Sequence, residues 1–148
     1  MSRTAEAFPK RKNKEGTQVH NAVFGDMEFS VGWKRRLDIS LWDSCYNIVV
    51  KAKAYAESDG LTSEQEKSYT DFMNRCESLL QTVENLLSEY CKTEDVKAIV
   101  ARMTPTSLLL ERDGGCALLF NDTEDADNGV AVCLLSTPPQ VMTQDEYL

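Results

Sequence analysis

The segment NDTEDADNG, residues 121–129, places four carboxylates and two amides within nine residues, and an apolar run begins directly after it. Closely spaced carboxylates can coordinate a cation, share acid–base catalysis, or present negative charge to a partner. The side chains that would do so are Asp122, Glu124, Asp125, Asp127 and Asn128.

An EF-hand calcium loop is the most specific metal site for such a segment, and the spacing excludes it. That loop requires oxygen ligands at positions 1, 3 and 5, glycine at 6 and glutamate at 12. With Gly129 at position 6, Ala126 and Leu135 fall at positions 3 and 12, and neither side chain carries an oxygen. An irregular cation or small-ligand site within residues 122–128 stays open as an alternative. The simpler interpretation is a hairpin loop in which Asn128 and Gly129 adopt positive φ angles.

No catalytic group can be assembled around these acids from the sequence. Paired carboxylates divide acid and base roles when burial separates their pKa values, but this loop is polar and has no aromatic residue. His20, the one histidine, lies in a polar N-terminal segment. The sequence has no phosphate-binding, dinucleotide-binding or G-x-S-x-G nucleophile motif. We therefore predict a protein that is not an enzyme and uses no cofactor.

The cysteines indicate free thiols rather than a metal centre. They are scattered, without a C-x-x-C pair, and a single histidine does not complete a common zinc site. The start of the chain has no apolar signal segment, and no apolar run approaches the roughly 20 residues that span a bilayer. We expect a cytoplasmic protein with no membrane partner.

Charge is distributed unevenly along the 148 residues. Residues 1–20 carry five basic and two acidic side chains, a net charge of +3. The remaining residues carry eleven basic and twenty-two acidic side chains, a net charge of −11. A body this acidic repels nucleic-acid backbones and favours a basic protein partner. We predict a flexible basic arm at residues 1–20, followed by a single domain at residues 21–148.

Periodicity indicates which elements must position these residues. Alternating apolar residues at 37–42 and 46–54 predict two half-buried strands of an antiparallel sheet, preceded by a short hairpin at 23–31. A capping box at Thr62 and Gln65 opens an apolar stripe of helical spacing. We predict one long helix, Ser63 to Lys92, packed across the sheet, with self-association through its stripe as a homodimer as the alternative.

The second half of the chain predicts a shorter helix ending at Arg102 and then more strands. The strands are expected at 107–111, 116–120 and 130–135, with a short edge strand at 141–142. Strands on both sides of the helices predict an α+β fold of two layers. We expect a mostly antiparallel sheet of about five or six strands packed against one long amphipathic helix and one short helix.

Trp42 is a second candidate binding residue. By strand parity it shares a sheet face with Asp38 and Ser40, opposite the apolar side chains. A large aromatic residue on the outer face of a sheet often anchors an interface. The alternative is that a second layer or the N-terminal arm covers it. Trp33, which follows Gly32 at a bend, is predicted to lie in the core.

Three motifs together resemble an uncharacterised bacterial domain family. They are Gly32-Trp33, the helix opening L-T-x-E-Q-x-x-x-Y-x-x-F from Leu61 to Phe72, and an acid-rich final hairpin. In that family the last loop reads D-P-E-H-G before an apolar strand, and a Q-D motif lies near the end. The corresponding residues here are Asp125–Gly129 and Gln144-Asp145, and the resemblance covers residues 22–148.

The resemblance implies a role similar to that of small acidic immunity proteins encoded beside bacterial contact-dependent toxins. Asn128 replaces the family's histidine and Asp127 its glutamate, so a chemical role of the histidine would be lost here. A turn or a polar binding patch would survive the change. We therefore predict a protein-binding domain that neutralises a basic partner through Trp42 and the loop at 122–128, with a cation- or small-ligand-binding module as the alternative.

Overall fold

The computed structural model describes residues 18–29, 32–54, 57–135 and 139–147. Within them eight strands form one sheet, and their order in space equals their order along the chain. The predicted α+β class, with a mostly antiparallel sheet, is confirmed, and three substantial helices accompany the sheet. Most of the predicted arm lies outside the described residues, whereas Gln18–His20 belong to the first strand.

The strands are β1 Gln18–Asn21, β2 Gly25–Phe29, β3 Trp33–Leu41, β4 Ser44–Ala52, β5 Met103–Leu110, β6 Cys116–Asp122, β7 Val130–Cys133 and β8 Gln140–Thr143. The helices are α1 Ser63–Asn74, α2 Cys76–Cys91, α3 Val96–Arg102 and the short α4 Gln144–Tyr147, with a 3₁₀ turn at Glu57–Asp59.

The sheet exceeds the predicted five or six strands because its first hairpin extends further towards the N-terminus. Strand β1 is only four residues long and mostly polar, so its apolar alternation is too weak to identify it. The turn after β1 carries Phe24, which is fully buried. Its ring stacks on Tyr69 of α1 with 4.5 Å between ring centroids. This stacking holds the hairpin against the helical layer.

The prediction of one long helix from Ser63 to Lys92 is wrong, because α1 and α2 are separated at Arg75. This residue has φ −112° and ψ 19°, outside the helical range, although no glycine or proline is present. The break allows each helix to bury its own apolar residues against the sheet. They are Tyr69 and Phe72 in α1, and Leu79, Leu80, Val83 and Leu87 in α2. The predicted capping box of Thr62 and Gln65 is confirmed.

One parallel contact joins two antiparallel halves of the sheet. Strands β1–β4 and β5–β8 are each connected in sequence, and β4 and β5 are the only pair of adjacent described strands that run in the same direction. The helices α1–α3 form the crossover that a parallel pair requires. At the junction Val50 lies beside Leu108, and both are fully buried on the face that the helices cover.

The short helix α4 reaches the opposite face of the sheet and forms what we call the C-terminal clasp. The Tyr147 hydroxyl donates a hydrogen bond of 2.9 Å to Glu111 Oε2. The other oxygen of Glu111 binds Lys53 Nζ at 3.0 Å. Leu109 and Ala131 lie on this second face by strand parity and are nevertheless buried. Tyr147 thus connects the C-terminal helix to Glu111 and Lys53, which follow β5 and β4.

Candidate functional site

Trp42 and the acidic loop lie at the same end of the sheet, where β3 and β6 finish. Strands β3 and β6 run in the same direction, because the junction between them contains two antiparallel pairs and one parallel pair. Trp42 follows the end of β3, and the loop follows the end of β6 at Asp122. The Trp42 ring packs edge-to-face on Phe120 of β6, with 6.3 Å between ring centroids. The fold thus brings together two candidates that are about 80 positions apart in the sequence.

Asp122 is a structural residue of this edge. Its side chain is fully buried and forms a bidentate ion pair with Arg102 at the end of α3. The Nε–Oδ1 and Nη2–Oδ2 distances are 2.8 and 3.0 Å. The hydrogen bond from Arg102 lowers the pKa of Asp122, and the hydrogen-bonded carboxylate raises that of Arg102. Both groups therefore stay charged, and Asp122 presents no free oxygen to a partner.

Arg102 also connects the loop to the helical layer. Its guanidinium carbon lies 5.6 Å from the centroid of the Tyr90 ring in α2, at cation–π distance. A third nitrogen, Nη1, lies 3.5 Å from Glu124 Oε1. The backbone carbonyl of Arg102 accepts a hydrogen bond of 3.0 Å from the Thr123 N–H. One side chain and its own carbonyl therefore fix the position at which the chain leaves β6.

Hydrogen bonds within the loop define its path. Asp122 Oδ1 accepts from the Glu124 N–H at 2.9 Å, and the Asp122 carbonyl accepts from the Asp125 N–H. The amide of Asn128 donates to both oxygens of the Asp125 carboxylate, at 3.2 and 3.3 Å. The carbonyl of Asp125 accepts from the Gly129 N–H at 2.9 Å. The loop is a folded turn in which Asn128 has a structural role.

Gly129 and Gln144 close the loop from the other side. Gly129 has φ +67°, as predicted, although Asn128 does not share the positive φ. A Cβ atom on Gly129 would lie 2.6 Å from the Phe120 carbonyl and 2.7 Å from Gln144 Nε2. That nitrogen donates to the carbonyls of Phe120 and Val130 at 2.9 and 3.4 Å. Gly129 and Gln144, which belong to two of the short sequence motifs, are therefore in contact. The Gln144 amide bridges the end of β6 and the start of β7.

The prediction for Trp42 needs correction. Trp42 and Asp43 form the two-residue turn between β3 and β4, with φ angles of 51° and 60°. Strand parity does not apply beyond Leu41, so the indole turns towards the helical layer and is half-buried. Its backbone N–H donates a 2.8 Å hydrogen bond to Glu84 Oε2 of α2. Left-handed φ angles are costly for a tryptophan, and this bond and the Phe120 contact support the conformation.

Three carboxylates remain directed to solvent, and we call Glu124, Asp125 and Asp127 the loop acids. The Glu124 side chain is 69% exposed, Asp127 is exposed and Asp125 is half-buried. Within the described ranges, no group of three or more histidine, cysteine, aspartate or glutamate residues is placed to hold a metal ion. What the arrangement offers is a fixed negative loop that follows Phe120, the residue on which the half-buried indole of Trp42 packs.

Sequence reasoning missed three residues that build this edge. The sequence identifies Arg102 only as the end of a predicted helix, and it does not single out Glu84. Gln144 appeared only as part of a short motif. The partners of these residues are 20, 42 and 24 positions away, and helix or strand periodicity carries no information on such pairs.

Comparison with known protein families, with curated proteins and with solved structures gives no match. Among the residues that the structure describes, no helix has both the length and the apolar character needed to cross a membrane.

Proposed function

We propose that this chain is a non-enzymatic, cytoplasmic protein-binding domain, and that it captures a basic protein through the loop acids and Trp42. The observation that supports this most directly is the ion pair of Arg102 and Asp122. It neutralises one carboxylate inside the fold and holds a loop whose other acids face solvent. The loop therefore presents negative charge in a fixed backbone conformation.

Charge supports a basic partner. The chain carries a net charge of −8, and residues 121–129 contain four acids and no basic side chain. A surface of one sign increases the association rate with an oppositely charged protein and disfavours partners of like charge. Because the carboxylates are exposed to solvent, their contribution to affinity is expected to decrease with salt.

The rigidity of the loop supports binding as well. The hydrogen bonds of Asp125 with Asn128 and Gly129 are present before any partner arrives. A pre-organised loop loses little conformational entropy on binding, so more of the contact energy appears as affinity. Trp42 adds an aromatic surface at the same edge, and tryptophan is enriched among the residues that dominate interface energies.

The motif resemblance extends this proposal to an immunity-like role, in which the partner is a basic toxin or nuclease of bacterial origin. The loop positions that differ from the family pattern fit a binding role. Asn128 uses its amide to hold Asp125, and this contact does not require the proton-transfer chemistry of a histidine.

A charge-reversal experiment tests the proposal. The partner is first isolated by cross-linking in the cells that produce the chain, and its affinity for the purified protein is then measured. Reversing Asp125 and Asp127 together to lysine should weaken binding at least tenfold, mainly through slower association. The matched control reverses Glu77 and Glu94, which are exposed on the helical layer and change the net charge equally.

Two outcomes would contradict the proposal. Wild-type affinity in the Asp125/Asp127 variant would remove the loop from the interface, and equal losses in both variants would mean that only total charge matters. The alternative, a cation-binding module, is tested by thermal unfolding with calcium, magnesium or manganese. An increase in melting temperature that follows cation concentration, and disappears in the variant, would favour the alternative.

A further inference from the structure

A row of lysines lies on the sheet face opposite the helices, and we call Lys34, Lys51 and Lys53 the lysine row. Lys34 of β3 is the direct cross-strand partner of Lys51 of β4. Lys53 follows two positions later on the same side. Directly opposed side chains on neighbouring strands have Cβ atoms about 5 Å apart, and like charges in this arrangement are destabilising. The rest of the chain is strongly acidic, so this concentration of positive charge needs an explanation.

Neighbouring acids compensate only part of the lysine row. Glu28 lies opposite Lys34 on the other side, and Glu111 binds Lys53 at 3.0 Å. Lys51, in the middle, forms no ion pair with any residue that the structure describes. Burial lowers the pKa of Lys51, and the charges of Lys34 and Lys53 lower it further. Among the described residues, the centre of the row is thus a cation without an ion-pair partner.

Gly32 helps to place the central lysine. It has φ +116°, and a Cβ atom there would lie 3.1 Å from Lys51 Cε and 3.2 Å from the Ala52 carbonyl. The absence of a side chain lets the lysine stem lie close to the backbone at the start of β3. The Lys51 stem is therefore packed beside Gly32 rather than left free in solvent.

The chemistry of the lysine row restricts the class of ligand that can bind there. Lysine binds phosphate as a point charge, and its ammonium group can donate several hydrogen bonds to oxygen. The backbones of β3 and β4 are paired over nine positions, so they offer no set of free N–H groups for shape-specific recognition. A long polyanion would be repelled by the −11 charge of the body. A small, doubly charged tetrahedral anion fits best.

We propose that the lysine row binds a phosphoryl dianion, either inorganic phosphate or the phosphate group of a small monoester, held between Lys34 and Lys51. The bound anion supplies the missing counter-charge and removes the repulsion across β3 and β4. This site is independent of the loop acids, which lie at the sheet edge next to Trp42.

The test is a titration of the full chain with sodium phosphate at pH 7.5, with sodium chloride keeping the ionic strength constant. Binding is followed by calorimetry and by NMR of the lysine side chains, and glycerol phosphate is titrated in parallel to distinguish a monoester from the free anion. Lys34→Gln and Lys51→Gln should each weaken phosphate binding by about tenfold. Lys97→Gln, an exposed lysine of α3, is the control and should bind as the wild type does.

A second readout does not depend on ligand. In Lys34→Gln the repulsion on Lys51 is smaller, so the pKa of Lys51 should rise in an NMR titration of the folded protein. An unchanged Lys51 titration would overturn the proposal, as would equal phosphate affinity in all four proteins or no binding beyond the chloride control. Tighter binding of a single-stranded RNA oligomer than of phosphate, through the same lysines, would also overturn it in favour of nucleic acid.

Discussion

Arg102 and Asp122 are joined by two parallel hydrogen bonds, 2.8 and 3.0 Å long, between the end of α3 and the end of β6. The carboxylate is fully buried and the guanidinium is 20% exposed. This pair connects the helical layer, the sheet and the acidic loop. It is the contact on which the shape of the candidate site depends most.

Replacing Arg102 should strongly destabilise the folded protein. Arg102→Met leaves the carboxylate of Asp122 buried without a partner, which is expected to lower the free energy of unfolding by about 3–5 kcal/mol. Chemical denaturation measures the change. Arg75→Met is the matched control, because Arg75, at the break between α1 and α2, forms an exposed ion pair with Asp71 of α1. Its loss should cost less than about 0.5 kcal/mol. Similar losses in the two variants would contradict the structural role of Arg102.

The same pair predicts how stability depends on pH. The hydrogen bond from Arg102 holds the pKa of Asp122 below its ordinary value of 3.8. The folded protein therefore keeps this carboxylate ionised at a pH at which the unfolded chain takes up a proton. The stabilisation is complete above about pH 4 and decreases as the pH falls towards the lower pKa of the folded state.

Asp122→Asn should remove this part of the pH dependence. Urea denaturation at several pH values between 3 and 7 would show a variant that is less stable at neutral pH and loses less stability on acidification. Parallel curves for wild type and variant would show that the paired carboxylate does not contribute to acid unfolding.

Gly129 should tolerate no side chain. In Gly129→Ala the new Cβ meets the Phe120 carbonyl and Gln144 Nε2 at less than 3 Å, in addition to the cost of a positive φ. We expect a loss of about 2–4 kcal/mol in the free energy of unfolding. Gly60→Ala separates the two effects, because Gly60 has φ +60° but no atom within 4 Å of the added Cβ. Its loss should be about 1 kcal/mol.

An equal loss of unfolding free energy in Gly129→Ala and Gly60→Ala would show that close packing of Gly129 against Gln144 is unimportant.

Glu84 supports the turn that carries Trp42. Glu84→Ala removes the acceptor of the Trp42 N–H, and an unsatisfied, partly buried donor is expected to cost about 1–2 kcal/mol. Tryptophan fluorescence, which reports on the surroundings of the indole, should shift to longer wavelength as the turn loosens. Glu89→Ala removes an exposed acid of the same helix and should leave both stability and emission unchanged. Unchanged emission in Glu84→Ala would contradict the support of Trp42 by α2.

The sequence predicts the elements that have strong local patterns. Alternation at 37–42 and 46–54 predicts most of β3 and β4, although β3 begins earlier, at Trp33, and the capping box at Thr62 and Gln65 is a local signal as well. The interruption at Arg75 was missed, because the apolar stripe continues through it and no helix breaker marks it. The break accompanies the packing of two apolar faces on one sheet, and such a tertiary arrangement overrides local helix propensity.

For the candidate site, the sequence predicts which residue types are present but not how they are arranged or buried. The loop acids and the turn glycine follow from the residues themselves. The division between buried Asp122, half-buried Asp125 and exposed Glu124 and Asp127 does not, because it depends on the distant Arg102. Trp42 was assigned to the outer face on the assumption that β3 continues through it. The two-residue turn ends the strand one position earlier and reverses that assignment.

The single parallel seam between β4 and β5 has a consequence for folding kinetics. Each half of the sheet is a series of neighbouring hairpins, which close short loops and form quickly, whereas joining Val50 to Leu108 closes a loop of more than fifty residues. Mutations at this seam should therefore slow refolding, while mutations inside either meander mainly accelerate unfolding. We therefore expect the two halves to behave as local folding units whose encounter along this seam limits the rate of folding.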